Sequence, residues 1–174
     1  MSYEQLRASL KQPALIAVAE HWNAVRAMRR MPGWRDIDPA AIKVYLPMVW
    51  AWRWDASLGT FVGRLAGEDI IAVLGTNPRG KRLAECFPAM AVDAVLARYR
   101  RIIEEPALMR SEGKIYSPAG HEGWGERVVL PLAGDGEHGD GIIGATFYRL
   151  DIRPVAGEVS IDHLNEEIDF FPLP

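Results

Sequence analysis

Between residues 14 and 31, apolar side chains recur every third or fourth position. Leu15, Val18, Trp22, Val25 and Met28 share one helical face, while Glu20, Asn23, Arg26 and Arg30 fall largely elsewhere. Pro32 and Gly33 end the pattern. It predicts a helix lying across the body of the domain, with a face that would also suit a dimer contact. In DIDPAAIKVYLP, Asp38 is a good N-cap, Pro39 suits the first turn and Pro47 is a stop, which predicts a short helix. At MVWAWRW (48–54) the period switches to two. Trp50, Trp52 and Trp54 fall on one side, and Val49, Ala51 and Arg53 on the other. A turn at 55–59 and a second strand at 60–66 complete a hairpin.

Residues 67–75 read as a short helix, with Glu68 and Asp69 at its positive end and Gly75 closing it. Residues 76–88 are rich in turn formers. A longer helix follows at 89–104, with Met90, Val95, Leu96, Tyr99, Ile102 and Ile103 as its apolar stripe. Strands are expected at 107–117, 125–133 and 142–150, the last two separated by GDGEHGDG. The organisation is therefore an N-terminal helical extension (1–47), a body (48–150) and an acidic, proline-bearing tail (151–174). Two strands, a helical middle and three strands predict an α+β fold, an antiparallel sheet with helices on one face. The middle segment must cross over the sheet, and the gap beneath it is where a ligand cavity would form.

The chain has 174 residues and a formal charge of −3. That length suits one domain. The charge lacks the basic excess of a dedicated nucleic-acid binder, so no nucleic-acid partner is expected. Cys86 is the single cysteine, so neither a disulfide nor a cysteine zinc site is available within the chain. The N-terminus shows no secretory signal, and no run approaches the roughly 20 apolar residues of a membrane span. A cytoplasmic protein without a membrane partner is expected. No stretch is left over for a kinase, cyclase or DNA-binding output domain, so a signal would pass to a separate protein.

GTNPRGKR (75–82) lies one residue from the phosphate loop G-x-x-x-x-G-K-[ST], with Arg82 in place of the hydroxyl. That motif needs a buried strand before it and a long helix opening within it. Here a helix precedes it, Pro88 comes too soon after it, and the charge of Arg82 would oppose Mg²⁺. Gly75 and Gly80 are better explained as turn residues that tolerate positive φ.

The same region resembles the centre of a PAS domain. It is similar to the stand-alone bacterial PAS-like proteins in which a strand ending R-L-A-G leads into a short helix and then G-x-x-x-x-G-x-x-L. Here these are Arg64-Leu65-Ala66-Gly67, then Gly75, Gly80 and Leu83. Asp38-Pro39-Ala40 and the aromatic strand upstream, with V-V-L-P-L (128–132) and I-I-G (142–144) downstream, extend the resemblance over about residues 14–150. It implies a five-stranded antiparallel sheet with helices over one face, preceded by the N-terminal helix. It also implies a regulatory role in signalling, by sensing a small ligand, by contacting proteins, or both. It does not imply an enzyme.

Cofactors known for such folds meet weak support here. The loop carries Leu83 where a flavin photoreceptor has its thiol, and Cys86 reads as a buried small hydrophobe. The helix at 89–104 has no histidine for a haem iron, and His21, His121, His138 and His163 have no partner at metal-ligand spacing. Haem, flavin and a metal site are not expected, and no catalytic constellation emerges. Adjacent Glu104-Glu105 and Glu166-Glu167 point apart, and no serine sits in G-x-S-x-G. A small apolar or amphipathic ligand remains the leading expectation. Its pocket would be lined by Phe61, Leu65, Ile70, Leu74, Leu83, Phe87, Tyr99, Val128 and Leu130. Arg64 is a candidate anion anchor. The tryptophan stripe either lies under the N-terminal helix, where Trp22 would meet it, or forms an exposed patch. On the second view Trp22, Trp50, Trp52 and Trp54 are interface candidates for a homodimer or partner. A ligand-free adaptor and a small cavity enzyme are the alternatives.

Overall fold

A computed structural model describes residues 2–116, 121–154 and 166–174. In chain order these form α1 (Ser2–Ser9), α2 (Pro13–Arg26), a 3-10 turn (Lys43–Met48), β1 (Val49–Asp55), β2 (Thr60–Ala66) and α3 (Glu68–Leu74). A second 3-10 turn (Leu83–Glu85), α4 (Ala89–Glu104), β3 (Ala107–Tyr116), β4 (His121–Leu132), β5 (Gly141–Pro154) and β6 (Glu166–Pro172) follow. The strands make one antiparallel sheet in the order β2-β1-β5-β4-β3-β6.

The fold class is the expected α+β, PAS-like architecture. Differences lie in its extent. The sheet has six strands, because residues 166–172 of the expected tail pair with β3. The N-terminal helix ends at Arg26, where Ala27 turns to φ 51°. Met28 is fully exposed in consequence. A separate helix, α1, precedes α2 and buries Leu6. Residues 38–42 form turns rather than a helix, and only the 3-10 turn at 43–48 is helical.

Helices cover both faces of the sheet. On one face α1 and α2 pack Leu6, Leu15, Val18 and Trp22 against Val49, Ala51, Leu108, Val128, Leu130 and Ile143. The Trp22 indole donates to the Pro131 carbonyl at 2.8 Å. On the other face α3 and α4 pack Ile70, Val95, Tyr99 and Ile102 against Trp50, Trp52, Phe61, Met109, Val129 and Ile142. The tryptophan stripe therefore faces α3 and α4, and Trp22 lies across the sheet from it. Strand alternation sends Val49 and Ala51 toward Trp22 instead.

GTNPRGKR lies along the free edge of β2. The Gly63 amide donates to the Lys81 carbonyl and the Gly80 amide to the Gly63 carbonyl, at 2.9 and 2.8 Å. Gly75 closes α3 at φ 69° and Gly80 turns the loop at φ 78°, as turn glycines would. A Cβ on Gly63 would stand 2.1 Å from the Pro78 carbonyl oxygen, so only glycine lets the loop come this close. Lys81 bonds the Thr76 hydroxyl within the same loop.

Candidate functional site

Beneath α3 and α4 lies a cavity of about 30 Å³, lined by Trp50, Trp52, Ile70, Leu74, Phe87, Tyr99, Arg127, Thr146 and Tyr148. That is room for one or two waters rather than a metabolite. Each strand contributes residues of one parity: Trp50 and Trp52 from β1, Arg127 from β4, and Thr146 and Tyr148 from β5. Ile70 and Leu74, one helical turn apart, come from α3, and Phe87 and Tyr99 close the far side. The rings interlock. Trp50 stacks on Tyr99 at 5.6 Å, and Phe61 meets Tyr99 edge-on at 5.8 Å.

The sheet side of this apolar box carries a polar cluster. Trp50 Nε1 donates to Thr146 Oγ1 at 2.8 Å, and Arg127 Nε approaches the same oxygen at 3.3 Å. Thr146 is wholly buried. Arg127 Nη1 stands 3.6 Å from Glu166, whose other oxygen takes a 2.8 Å bond from Arg98 on α4. Burial alone would lower the basicity of Arg127. The Glu166 carboxylate and the Tyr148 and Tyr99 phenols outweigh it, so the guanidinium is held firmly charged. Burial pushes the Tyr99 phenol up to about 12. It also pushes the Cys86 thiol up, consistent with a buried hydrophobe rather than a reactive group.

Of the expected pocket residues, Ile70, Leu74, Phe87 and Tyr99 line the cavity. Phe61 and Leu83 are fully buried in the packing behind it. Leu65 is 41% exposed. The pairing of β1 with β2 slips by one residue, Trp52 opposing Gly63 and Ala51 opposing Leu65. Leu65 thereby shares the face of Ala51, at an uncovered edge. Arg64, in the slip, is exposed and away from the cavity. Val128 and Leu130 lie under α1 and α2, whereas Arg127 and Val129 point to the cavity side. Both faces of β4 are buried, so its apolar run carried no sign of which parity faced which layer. The charged Arg127 within that run was the available signal for the site.

The interface candidates are corrected too. Trp22, Trp50 and Trp52 are buried within the chain's own two cores, and Trp54 is partly buried against the second. Trp22, Trp50 and Trp52 are therefore not open to a second chain. Of the histidines, His21 accepts the Asp38 amide at 3.0 Å and His138 pairs with Asp135 in an exposed loop. His121 and His163 lie outside the described side chains. Among the described residues, no helix is long and apolar enough to cross a membrane.

Residues 10–147 match the PAS domain family, and the chain belongs to it. No curated protein matches the sequence. Among solved structures, the chain is similar to the Vibrio cholerae VqmA dimer in the absence of target DNA, at 17% identity and a TM-score of 0.50. That match covers 65% of this chain and 52% of VqmA. VqmA bound to DPO matches at 17% identity and a TM-score of 0.51, covering 64% of this chain and 58% of the other. At this identity the likeness is one of fold, and the chain spans little more than half of VqmA. The expectation that excluded a nucleic-acid partner is nevertheless corrected. VqmA, which shares the fold, is a LuxR-type receptor with target DNA, so a missing basic excess in this domain excludes nothing.

Proposed function

We propose that this chain is a regulatory PAS domain that senses a small ligand between its sheet and the α3–α4 layer. The cavity carries this reading: an aromatic box with a buried polar cluster along one wall, under the crossover segment. The VqmA structure bound to DPO supports it, since a domain of this fold is part of a ligand-bound receptor there. Its dimeric state and its target DNA support a homodimer, and an output through DNA or through a separate signalling protein. State would pass through β4 to α1 and α2 on the opposite face. The described lining holds no carboxylate or imidazole, and Tyr99 is far too weak an acid to exchange protons near neutrality. This favours a sensor over a cavity enzyme.

Comparing native with denaturing mass spectra of the purified protein tests this. A retained small mass, lost on denaturation, is the expected result. No retained mass, with no thermal stabilisation by any compound of a metabolite library, would overturn it. One observation favours the adaptor instead: the cavity as it stands is nearly filled by side chains. An adaptor would show protein capture unaffected by any such compound.

A further inference from the structure

Resting on that sensor reading, we propose that the ligand is a small planar aromatic monoanion, its acidic group held by Arg127 and Thr146. The charged groups on the cavity's polar side, among the described residues, are Arg98, Arg127 and Glu166. Two guanidiniums face one carboxylate. Arg98 makes the shorter contact to it, 2.8 Å against 3.6 Å for Arg127. The longer separation exceeds a hydrogen bond. Arg127 has five N–H donors in a planar fork, and a bound carboxylate is their best match. Thr146 Oγ1 sits between the Trp50 indole and Arg127 Nε, and its hydroxyl hydrogen is free to turn toward an acceptor. Arg127 also hydrogen-bonds the Tyr148 phenol, so moving that ring aside would free a guanidinium donor for an anionic ligand to take.

The remaining walls set the shape of the ligand. Trp50, Trp52, Phe87, Tyr99 and Tyr148 present ring surfaces, which favour a flat apolar body over a flexible chain. The entry this requires lies beside Tyr148. That ring also borders an outer cleft of about 310 Å³ with Met48, Asp69, Ala72, Val73 and Phe147. Swinging Tyr148 would join cleft and cavity into one chamber. The exposed Asp69 at the outer cleft would oppose an anion on entry, so selection rests on the inner wall.

The test uses benzoate, its neutral isostere benzamide, and acetate. Binding would be followed by calorimetry and by the NMR signals of the Trp50 and Trp52 indole N–H groups. Benzoate is expected to bind at least tenfold more tightly than benzamide and acetate, and to shift the Trp50 signal. Arg127→Met should abolish the preference for benzoate, and Arg127→Lys should keep part of it. If Arg127→Met does not fold, Thr146→Val should still reduce the preference several-fold. Benzamide binding as tightly as benzoate would overturn the anion proposal and leave the sensor reading standing. Acetate binding as tightly as benzoate would overturn the aromatic body. Binding by none of the three, with no stabilisation by the metabolite library, would sink both.

Discussion

Glu126 and Arg127 are neighbours on β4 that point to opposite faces of the sheet. Glu126 is wholly buried under the α1–α2 joint, where it accepts the backbone amide of Gln12 at 2.9 Å and Arg110 Nε at 2.8 Å. It also takes the Lys11 amide at 3.1 Å. Arg127 belongs to the cavity wall on the other side. One peptide unit thus separates the group that anchors the N-terminal helices from the group nearest the proposed ligand. A shift or twist of β4 at this point would be felt on both faces.

Glu126→Ala should therefore be severely destabilising. It leaves Arg110, only 4% exposed, without its most deeply buried partner, and it frees the start of α2. Breaking a buried pair from one side costs about 3–5 kcal/mol. The double variant Glu126→Leu with Arg110→Met should recover most of that loss, because neither charge is then stranded. Urea denaturation of the two variants and the parent measures this. Equal loss in both would mean that capping of the Lys11 and Gln12 amides, not charge pairing, dominates.

Trp22→Ala should destabilise the single chain rather than a dimer. The side chain is fully buried against the sheet, and its indole hydrogen bond would be lost with it. A loss of about 3–5 kcal/mol is expected for such a truncation. Val18→Ala, one turn earlier on the same face, should act in the same direction and more weakly. Urea melts at two protein concentrations separate the cases: a midpoint that falls equally at both is the expected outcome.

These residues show what was legible in the sequence. The bounds of β2 and α4 and the closure of α3 by Gly75 followed from local pattern and turn chemistry. Local signals also identified Trp22 and its helical face. They did not choose which side of the sheet that face covers, because β1, β4 and β5 are apolar on both sides. Leu65 was misplaced by a one-residue slip in strand pairing, which reverses every later side chain. β6 carries Glu166, Glu167 and Asp169 among its apolar residues, so its acidic character resembled a loose tail. Glu166 is in fact the carboxylate shared by Arg98 and Arg127.

Acid should weaken the fold at the α1–α2 joint. Burial works against the Glu112 charge, but bonds from Lys11 and Arg110 outweigh it and hold its carboxyl below the ordinary 4.5. A depressed folded pKa gives stability that is present above the unfolded value and lost as pH falls through the folded one. The melting temperature should therefore decline as pH drops below about 4.5. Glu112→Gln should lower the melting temperature at pH 7 and flatten that decline. An unchanged acid slope would remove Glu112 from the account.

Gly144→Ala should disturb the cavity while leaving Arg127 itself unaltered. A Cβ there would stand 2.4 Å from the Trp50 ring, which must move away from Tyr99 and Thr146. Overpacking of this kind costs roughly 1–3 kcal/mol. The Trp50 indole N–H signal should shift, and benzoate affinity should fall even though Arg127 is intact. A variant with parental stability and an unmoved Trp50 signal would show that the ring has slack the packing does not reveal.

Alkaline stability should carry the signature of Tyr99. Its phenol is 3% exposed, and burial raises its pKa from 10.0 to about 12. The folded chain thus prefers the neutral phenol more strongly than the unfolded chain does. For a raised folded pKa, the contribution is fully present below the unfolded value and is lost as pH rises through the folded one. The window here runs from 10.0 to about 12. Over that range the loss amounts to about 3 kcal/mol, at 1.36 kcal/mol per pH unit. Ultraviolet absorbance of the phenolate should show one tyrosine titrating well above the others in the native protein. That late step should disappear in Tyr99→Phe, and the variant should lose less stability than the parent between pH 9 and pH 12. If Tyr99 instead ionises with the rest while the protein stays folded, water reaches the ring, and the cavity is more open than its packing indicates.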